Sequence, residues 1–405
     1  MITIAKNRFY TGNTTSLFSA EVAKHVRQFH TRIENYQPTP LVSLSMLAKK
    51  LGVKAIVIKD ESHRFGLKAY KALGGSYALG QILADRLNID IRDLDINTVA
   101  AKLETPLIFI TATAGNHGIG VAWAAQKMGQ KAIIYMPKGS PIANAERVRE
   151  LGSECFITDD NYDDTVRLAN NIAQKNHWIL IQDTAWEGYH DIPTWICQGY
   201  LTMADEAVEQ MALLDLDTPT HVMLQAGVGS MAGSMLEYLV DKLGPESFQS
   251  IITEPSVANC IFRSGTSAHG DRVNVSENID TIMTGMACEV PRVLDTIMTG
   301  LACDEPNPDT WPILKQCSNY FAHADDSVSA VGMRVLGNPL IGDTQVISGA
   351  SGAITLGLLY QLCQDSRYLD SREQLGLNQD AVILLFNTEG DTNPSGYRDI
   401  VWNGS

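Results

Sequence analysis

"LIFITATAGNHGIGVAWAAQKMG", residues 107–129, carries a whole structural unit in one run. Its first six residues are apolar on both alternating faces. That predicts a strand covered on both sides, as in a parallel sheet between helices. "GIGVAWAAQKMG" (118–129) predicts a helix ending at a glycine. Between them lies a polar turn in which Thr111, Thr113, Asn116 and the backbone around Gly115 offer several donors. Such a turn suits a carboxylate. It reads equally well as an ordinary helix start capped by Asn116 or Thr113.

The same alternation runs outward in both directions. Strands are predicted at 55–60, 107–112, 131–137, 155–158, 178–183, 221–227, 250–255 and 381–387, and further helices at 144–152 and 162–176. Over this length, strand–helix alternation implies an α/β fold with two sheets. The 405 residues, 45% of them hydrophobic, suffice for two or three domains. A formal net charge of −15 argues against nucleic-acid or anionic-membrane partners. No apolar run is long enough to span a bilayer, and "MITIAKNRFYTGNTTS" is too polar for a secretory signal, so a cytoplasmic protein is expected. Seven scattered cysteines without a CxxC pair fit reduced thiols, and neither they nor the nine histidines show metal-ligand spacing. No metal site is expected.

Four stretches could carry chemistry. "LQAGVGSMAGSM" (224–235) follows a strand and opens a helix, so Gly227 and Gly229 can turn the backbone and aim N–H groups at an anion. Its spacing misses the dinucleotide fingerprint, and a tight strand–helix junction without a ligand reads it as well. "ILLFNTEGDTNPSG" (383–396) ends a strand in Asn387, Thr388 and Glu389. "IQDTAWEGY" (181–189) puts Asp183 at a strand's C-terminal end, the edge where ligands sit in open α/β sheets. "KDESHRFGLKAYKALGGSY" (59–77) places Lys68 and Lys71 beside aromatics and a double glycine. A lysine, a phosphate cradle, a carboxylate turn and a hydroxyl after a late strand are the parts needed to hold pyridoxal 5'-phosphate.

At this point the sequence resembles a known family, the fold-type II pyridoxal-phosphate enzymes of the tryptophan-synthase-β and threonine-dehydratase group. Within it the chain is most similar to the diaminopropionate ammonia-lyases. The matching words include "KDES-RFGL-A-K-LGGSYA" (59–78), "TAT-GNHG-GVAWAA" (111–125), "QDTAWEGY--IPTWI-QGY" (182–200), "QAGVGSMAG" (225–233), "TIMTGLAC-EPNP" (296–308) and "TEGDT" (388–392). The resemblance implies two domains, each a mostly parallel twisted sheet flanked by helices. Residues 1–89 with 183–405 would form a large cofactor-binding domain, and 90–182 a small one. Lys71, after Tyr70, would be the lysine joined to the cofactor, with Lys68 a surface or rim charge. A second ammonium nearby, with desolvation, would hold Lys71 neutral.

Further roles follow from the same resemblance. Asn116 would lie beside the cofactor's 3′-oxygen. Gly227, Val228, Gly229 and Ser230 would cradle the phosphate, and Thr388 would face the pyridine nitrogen. Thr113, Ala114, Gly115 and His117 would surround the substrate carboxylate. Asp183 would serve as acid or base at the side-chain amine, with Glu389 adding to the attraction for a cation. The implied reaction is α,β-elimination of 2,3-diaminopropionate to pyruvate and two ammonia, on a small amino-acid substrate, in a homodimer. A dehydratase or ammonia-lyase acting on serine, threonine or another β-substituted amino acid is the alternative.

Two departures matter. The family turn carries an aspartate base where this chain has Ala114. Three readings stay open: restriction to one enantiomer with Lys71 as base, a different β-substituted substrate, or an introduced substitution that impairs an ordinary member. The second departure is "DTIMTGMAC" (280–288) recurring as "DTIMTGLAC" (295–303), read as a local duplication. A Cys260–Cys288 disulfide falls in this region and runs against cytoplasmic reduction.

Overall fold

The computed structural model describes residues 1–216, 218–275 and 296–404. The first repeat copy and Cys288, and with them the Cys260–Cys288 pairing, lie outside the described residues. The strands are β1 (Ile2–Lys6), β2 (Leu41–Ser43), β3 (Ala55–Asp60), β4 (Ile108–Ala112), β5 (Lys131–Met136), β6 (Glu154–Ile157), β7 (Ile179–Leu180), β8 (His221–Gln225), β9 (Gln249–Pro255), β10 (Tyr320–Ala324) and β11 (Val382–Asn387). They form two sheets in two compact units. One unit comprises Met1–Ser16, Pro40–Ser62 and Ala207–Ser405, the other Leu17–Thr39 and His63–Glu206. These units divide the chain elsewhere than the expected boundaries at 89/90 and 182/183, because residues 17–39, 63–89 and 183–206 cluster with the smaller sheet.

The first unit holds a seven-stranded sheet in the order β1-β10-β9-β8-β11-β3-β2. Its interior pairs are parallel, and only the edge strands β1 and β2 run antiparallel to their neighbours. β8 and β11 are buried at every position, as strands covered on both faces must be. The apolar core includes Ile56, Ile58, Ile251, Ile354, Leu358, Ile383 and Leu385. Parallel pairing of β8 with β11 puts Gln225–Gly229 and Thr388, which follow these two strands, at one end of the sheet. β1, β2 and β10 were not expected: β1 and β2 are short edge strands, and His323 interrupts the apolar run of β10.

The second unit holds a parallel four-stranded sheet in the order β6-β5-β4-β7. β4 is followed directly by the 113–117 turn and the Asn116–Lys127 helix, so the opening stretch folds as read. The helices predicted at 144–152 and 162–176 appear as Ile142–Glu150 and Tyr162–Asn176, the latter capped by Asn161, whose side chain accepts from Asp164 N. The strand expected over 178–183 shortens to β7. Pairing stops because the Gln182 side-chain amide takes the Ala112 N–H and carbonyl, at 3.3 and 3.0 Å, and His117 Nε2 takes the Ile181 carbonyl.

Three helices of this unit meet through small residues. A Cβ on Gly199, at the end of the Asp191–Gly199 helix, would sit 2.4 Å from the Leu73 carbonyl, and one on Gly120 would sit 2.9 Å from Ala72 N. Glycine at these positions lets both helices lie against the first turn of the Lys71–Leu87 helix. His30 fixes the same turn, with Nε2 at 3.0 Å from the Leu73 carbonyl and Nδ1 at 2.7 Å from Thr202 Oγ1. Burial pushes the His30 imidazole down to about 3, so it is a neutral core histidine. No helix among the described residues is long and apolar enough to cross a membrane.

Candidate active site

Lys71 is the first residue of the Lys71–Leu87 helix. Its Nζ donates to Asp183 Oδ2 at 2.7 Å, with the two side chains 22% and 17% exposed. The rings of Tyr70 and Tyr200 stand with their centroids 5.3 and 5.6 Å from Nζ, within reach of cation–π attraction. His117 Nε2 donates to the Ile181 carbonyl at 2.8 Å, which turns Nδ1 toward Asp183 Oδ2 at 3.8 Å. Asp183 follows β7, and the 113–117 turn follows its neighbour β4. Gln182 ties these two strand ends together: its amide accepts from Thr111 Oγ1 and donates to the Ala112 carbonyl.

Charge favours the ionised pair. Burial alone would weaken the Lys71 ammonium, but Asp183 outweighs it, assisted by Tyr200 and Tyr70, and the proton is held well above the usual lysine range. Burial alone would likewise raise the Asp183 carboxyl, and attraction to His117 in that ring's protonated form and to Lys71 holds it below the usual range. Burial lowers His117, with Asp183 opposing. The expected neutral lysine is therefore not found here. Lys68, whose charge was to depress it, is exposed at φ +59°, and the charge that meets Lys71 is a carboxylate.

The substrate turn is polar but internally engaged. Thr113 Oγ1 accepts from Gly115 N at 3.2 Å, and the Ala114 carbonyl accepts from Asn144 Nδ2 at 3.1 Å. Neither Thr113 nor Asn116 caps the helix; Gly115 stands at the cap and Asn116 opens the helix. Ala114 is exposed, while His117 is buried with Nε2 committed to Ile181 and Nδ1 3.8 Å from Asp183.

In the first unit, Gly229 takes φ +89° before the Ser230–Leu243 helix, a left-handed turn that favours glycine. A Cβ there would meet Leu314 Cδ1 at 2.7 Å. Asn307 braces this loop, its backbone N donating to the Val228 carbonyl and its side chain to Ser230 Oγ, both at 2.7 Å. Thr388 is buried, and its Oγ1 accepts from Gln225 Nε2 at 3.0 Å. Since Gln225 supplies that donor, the Thr388 hydroxyl keeps its own proton to give to an acceptor such as an unprotonated ring nitrogen. The loop before a helix and this hydroxyl fit an anionic, pyridine-containing group.

The comparisons with known proteins agree with that fit. The pyridoxal-phosphate dependent enzyme family matches residues 33–373. The diaminopropionate ammonia-lyase of Escherichia coli (strain K12) is 51% identical over 403 residues, covering 100% of this chain and 97% of that protein. The chain belongs to the diaminopropionate ammonia-lyase family of pyridoxal-phosphate dependent enzymes. Its cofactor is pyridoxal 5'-phosphate, and it is a carbon–nitrogen lyase of fold type II. The Escherichia coli enzyme solved with an aminoacrylate–PLP azomethine reaction intermediate superposes with a TM-score of 0.90 at 51% identity, covering 100% of this chain and 98% of that one. The same enzyme solved with D-serine gives 0.91 at 50% identity, covering 100% and 98%.

Four residues that now bear on the site had no role assigned from sequence. Tyr200, Gln182 and Gln225 sit inside the family-like words, and Asn307 in "EPNP", so the only signal available was their place in those words. Tyr200 is fully buried, and its hydroxyl has no hydrogen-bond partner among the described residues.

Proposed function

We propose that this lyase eliminates the β-amine of 2,3-diaminopropionate, giving pyruvate and two ammonia. The observation that carries the reading is the Lys71–Asp183 contact at 2.7 Å, an amine and a carboxylate together in an α/β enzyme of this family. When bound, pyridoxal 5'-phosphate supplies an aldehyde for the α-amine and a conjugated ring that withdraws charge from Cα. Lys71 is the residue that attaches the cofactor, and its freed amine takes the Cα proton. Asp183 binds the β-ammonium and keeps it protonated, because an amine leaves poorly unless it carries a proton. Backbone groups of the Thr113–His117 turn, Ala114 and Gly115 included, receive the carboxylate, and the buried His117 ring lies beside Asp183. Asn116 would lie at the cofactor's 3′-oxygen. Gly227, Val228, Gly229 and Ser230 would take its phosphate, and Thr388 would donate to its ring nitrogen.

The neutral Thr388 hydroxyl leaves that nitrogen unprotonated and so favours elimination over transamination. Ala114 has no proton to exchange, which leaves Lys71 as the base and restricts the enzyme to the enantiomer that presents its Cα proton to it. We also assign the protein to the cytoplasm as a homodimer, with 1–89 and 183–405 as the functional cofactor domain and 90–182 as the smaller one. Pyruvate release from L- and D-2,3-diaminopropionate, serine and threonine, assayed side by side, tests the reading. Diaminopropionate should be turned over fastest, one enantiomer strongly over the other. Faster turnover of serine or threonine overturns it.

A further inference from the structure

We propose that Asp183 passes from Lys71 to the substrate's β-ammonium, so that the second amine of the substrate is what frees Lys71 to lose its proton. This rests on the diaminopropionate reading and adds a reason for it. Four groups face the Lys71 amine. Tyr70 precedes its helix, Tyr200 ends the neighbouring helix, His117 lies in the helix after β4, and Asp183 follows β7. The carboxylate at 2.7 Å and the two ring faces at 5.3 and 5.6 Å all favour the ammonium. An ammonium cannot take a proton from Cα, so a Lys71 released from the cofactor by the substrate's α-amine would be idle while Asp183 held it as an ammonium. The arrangement that positions Lys71 therefore also disables it.

His117 cannot relieve this. Its Nε2–H is fixed on Ile181, so neutral Nδ1 presents a lone pair toward Asp183, and that buried nitrogen has no hydrogen-bond partner among the described residues. A second cation can. An arriving β-ammonium replaces one positive partner of Asp183 by another, so the carboxylate stays paired and the exchange requires no uncompensated buried charge. Lys71 then has a like charge for a neighbour instead of a carboxylate, which lowers its proton affinity. Its proton leaves to solvent, which the partly exposed side chain reaches. Serine and threonine bring a hydroxyl at the same carbon and cannot make this exchange. Asp183 is then a specificity determinant that reads substrate charge through Lys71.

The experiment separates this from the parent reading. Protein stripped of cofactor is labelled competitively with fluorodinitrobenzene across pH, and the Lys71 peptide is quantified. Ethylammonium chloride, against sodium chloride at equal ionic strength, should move the Lys71 profile to lower pH by about one pH unit or more. Asp183→Asn should lower the profile by itself and abolish the ethylammonium response. In the holoenzyme, ethylammonium should raise pyruvate release from serine saturably in the wild type and not in Asp183→Asn. A Lys71 profile that ignores ethylammonium, or a serine rate raised equally in the variant, overturns the proposal. The labelling needs no turnover, so it stands or falls separately from the assay on diaminopropionate.

Discussion

Two ion pairs in the second unit make an instructive contrast. Arg64 and Glu206 are both 0% exposed and joined by two hydrogen bonds, at 3.0 and 2.8 Å. Glu206 also accepts from the Tyr36 hydroxyl and Thr39 N, and Arg64 also donates to the Gln37 carbonyl and Thr39 Oγ1. Lys71 and Asp183 share one hydrogen bond, stay 22% and 17% exposed, and sit beside two buried polar atoms, Tyr200 Oη and His117 Nδ1, that lack hydrogen-bond partners among the described residues. The first pair is over-determined, with four hydrogen bonds accepted by Glu206 and four donated by the two terminal nitrogens of Arg64. The second pair shares one hydrogen bond, which a competing cation can displace. A buried charge pair with full satisfaction fixes the fold, whereas one with slack next to it can do chemistry.

The largest test of this contrast is Lys71→Ala. Pyruvate release should fall on the order of 10⁴-fold or more, about 5.5 kcal/mol of barrier, with thermal stability little changed. Borohydride reduction and peptide mapping should place the cofactor on residue 71 in the wild type only. Arg64→Ala should do the converse. It should cost about 3–5 kcal/mol of stability, read from the urea midpoint, while turnover per folded molecule is kept. A loss of turnover at unchanged stability would erase the distinction between the pairs.

Asp183→Asn comes next. Turnover of diaminopropionate should drop by about 10²-fold or more, and stability at neutral pH by no more than about 1 kcal/mol. Because the folded Asp183 carboxyl lies below its ordinary range, the pair stabilises the fold above that range and the contribution is lost on acidification. The variant should accordingly lose part of the decline in stability below about pH 4. The smallest effect is expected from Ala114→Asp, a gain of about tenfold or more on the less favoured enantiomer of diaminopropionate. Equal rates before and after, for both enantiomers, would remove residue 114 from proton transfer.

The alternating apolar runs announced both parallel sheets, because strands buried on two faces cannot hide that composition; β8 and β11 show it most plainly. The glycine loop at 227–230 and the turn at 113–117 were legible as strand–helix junctions for the same local reason. Edge strands β1 and β2 were not. A short strand with one neighbour needs little apolar surface, so its pairing depends on a partner far along the chain.

What the sequence by itself determined was the chemical inventory: an amine at 71, a carboxylate at 183, a hydroxyl at 388 and glycines where backbone must turn. Their types follow from the bonds they make and need no neighbour to be named. Only the tertiary structure decided the charge on Lys71. Proton affinity depends on what lies within a few ångströms, and the nearer partner proved to be Asp183, 112 positions along the chain, while Lys68, three positions away, points to the exposed surface. The surroundings of Tyr200 were decided in the same way, since burial and a hydroxyl without a hydrogen-bond partner among the described residues are properties of packing and cannot be written in a one-dimensional string.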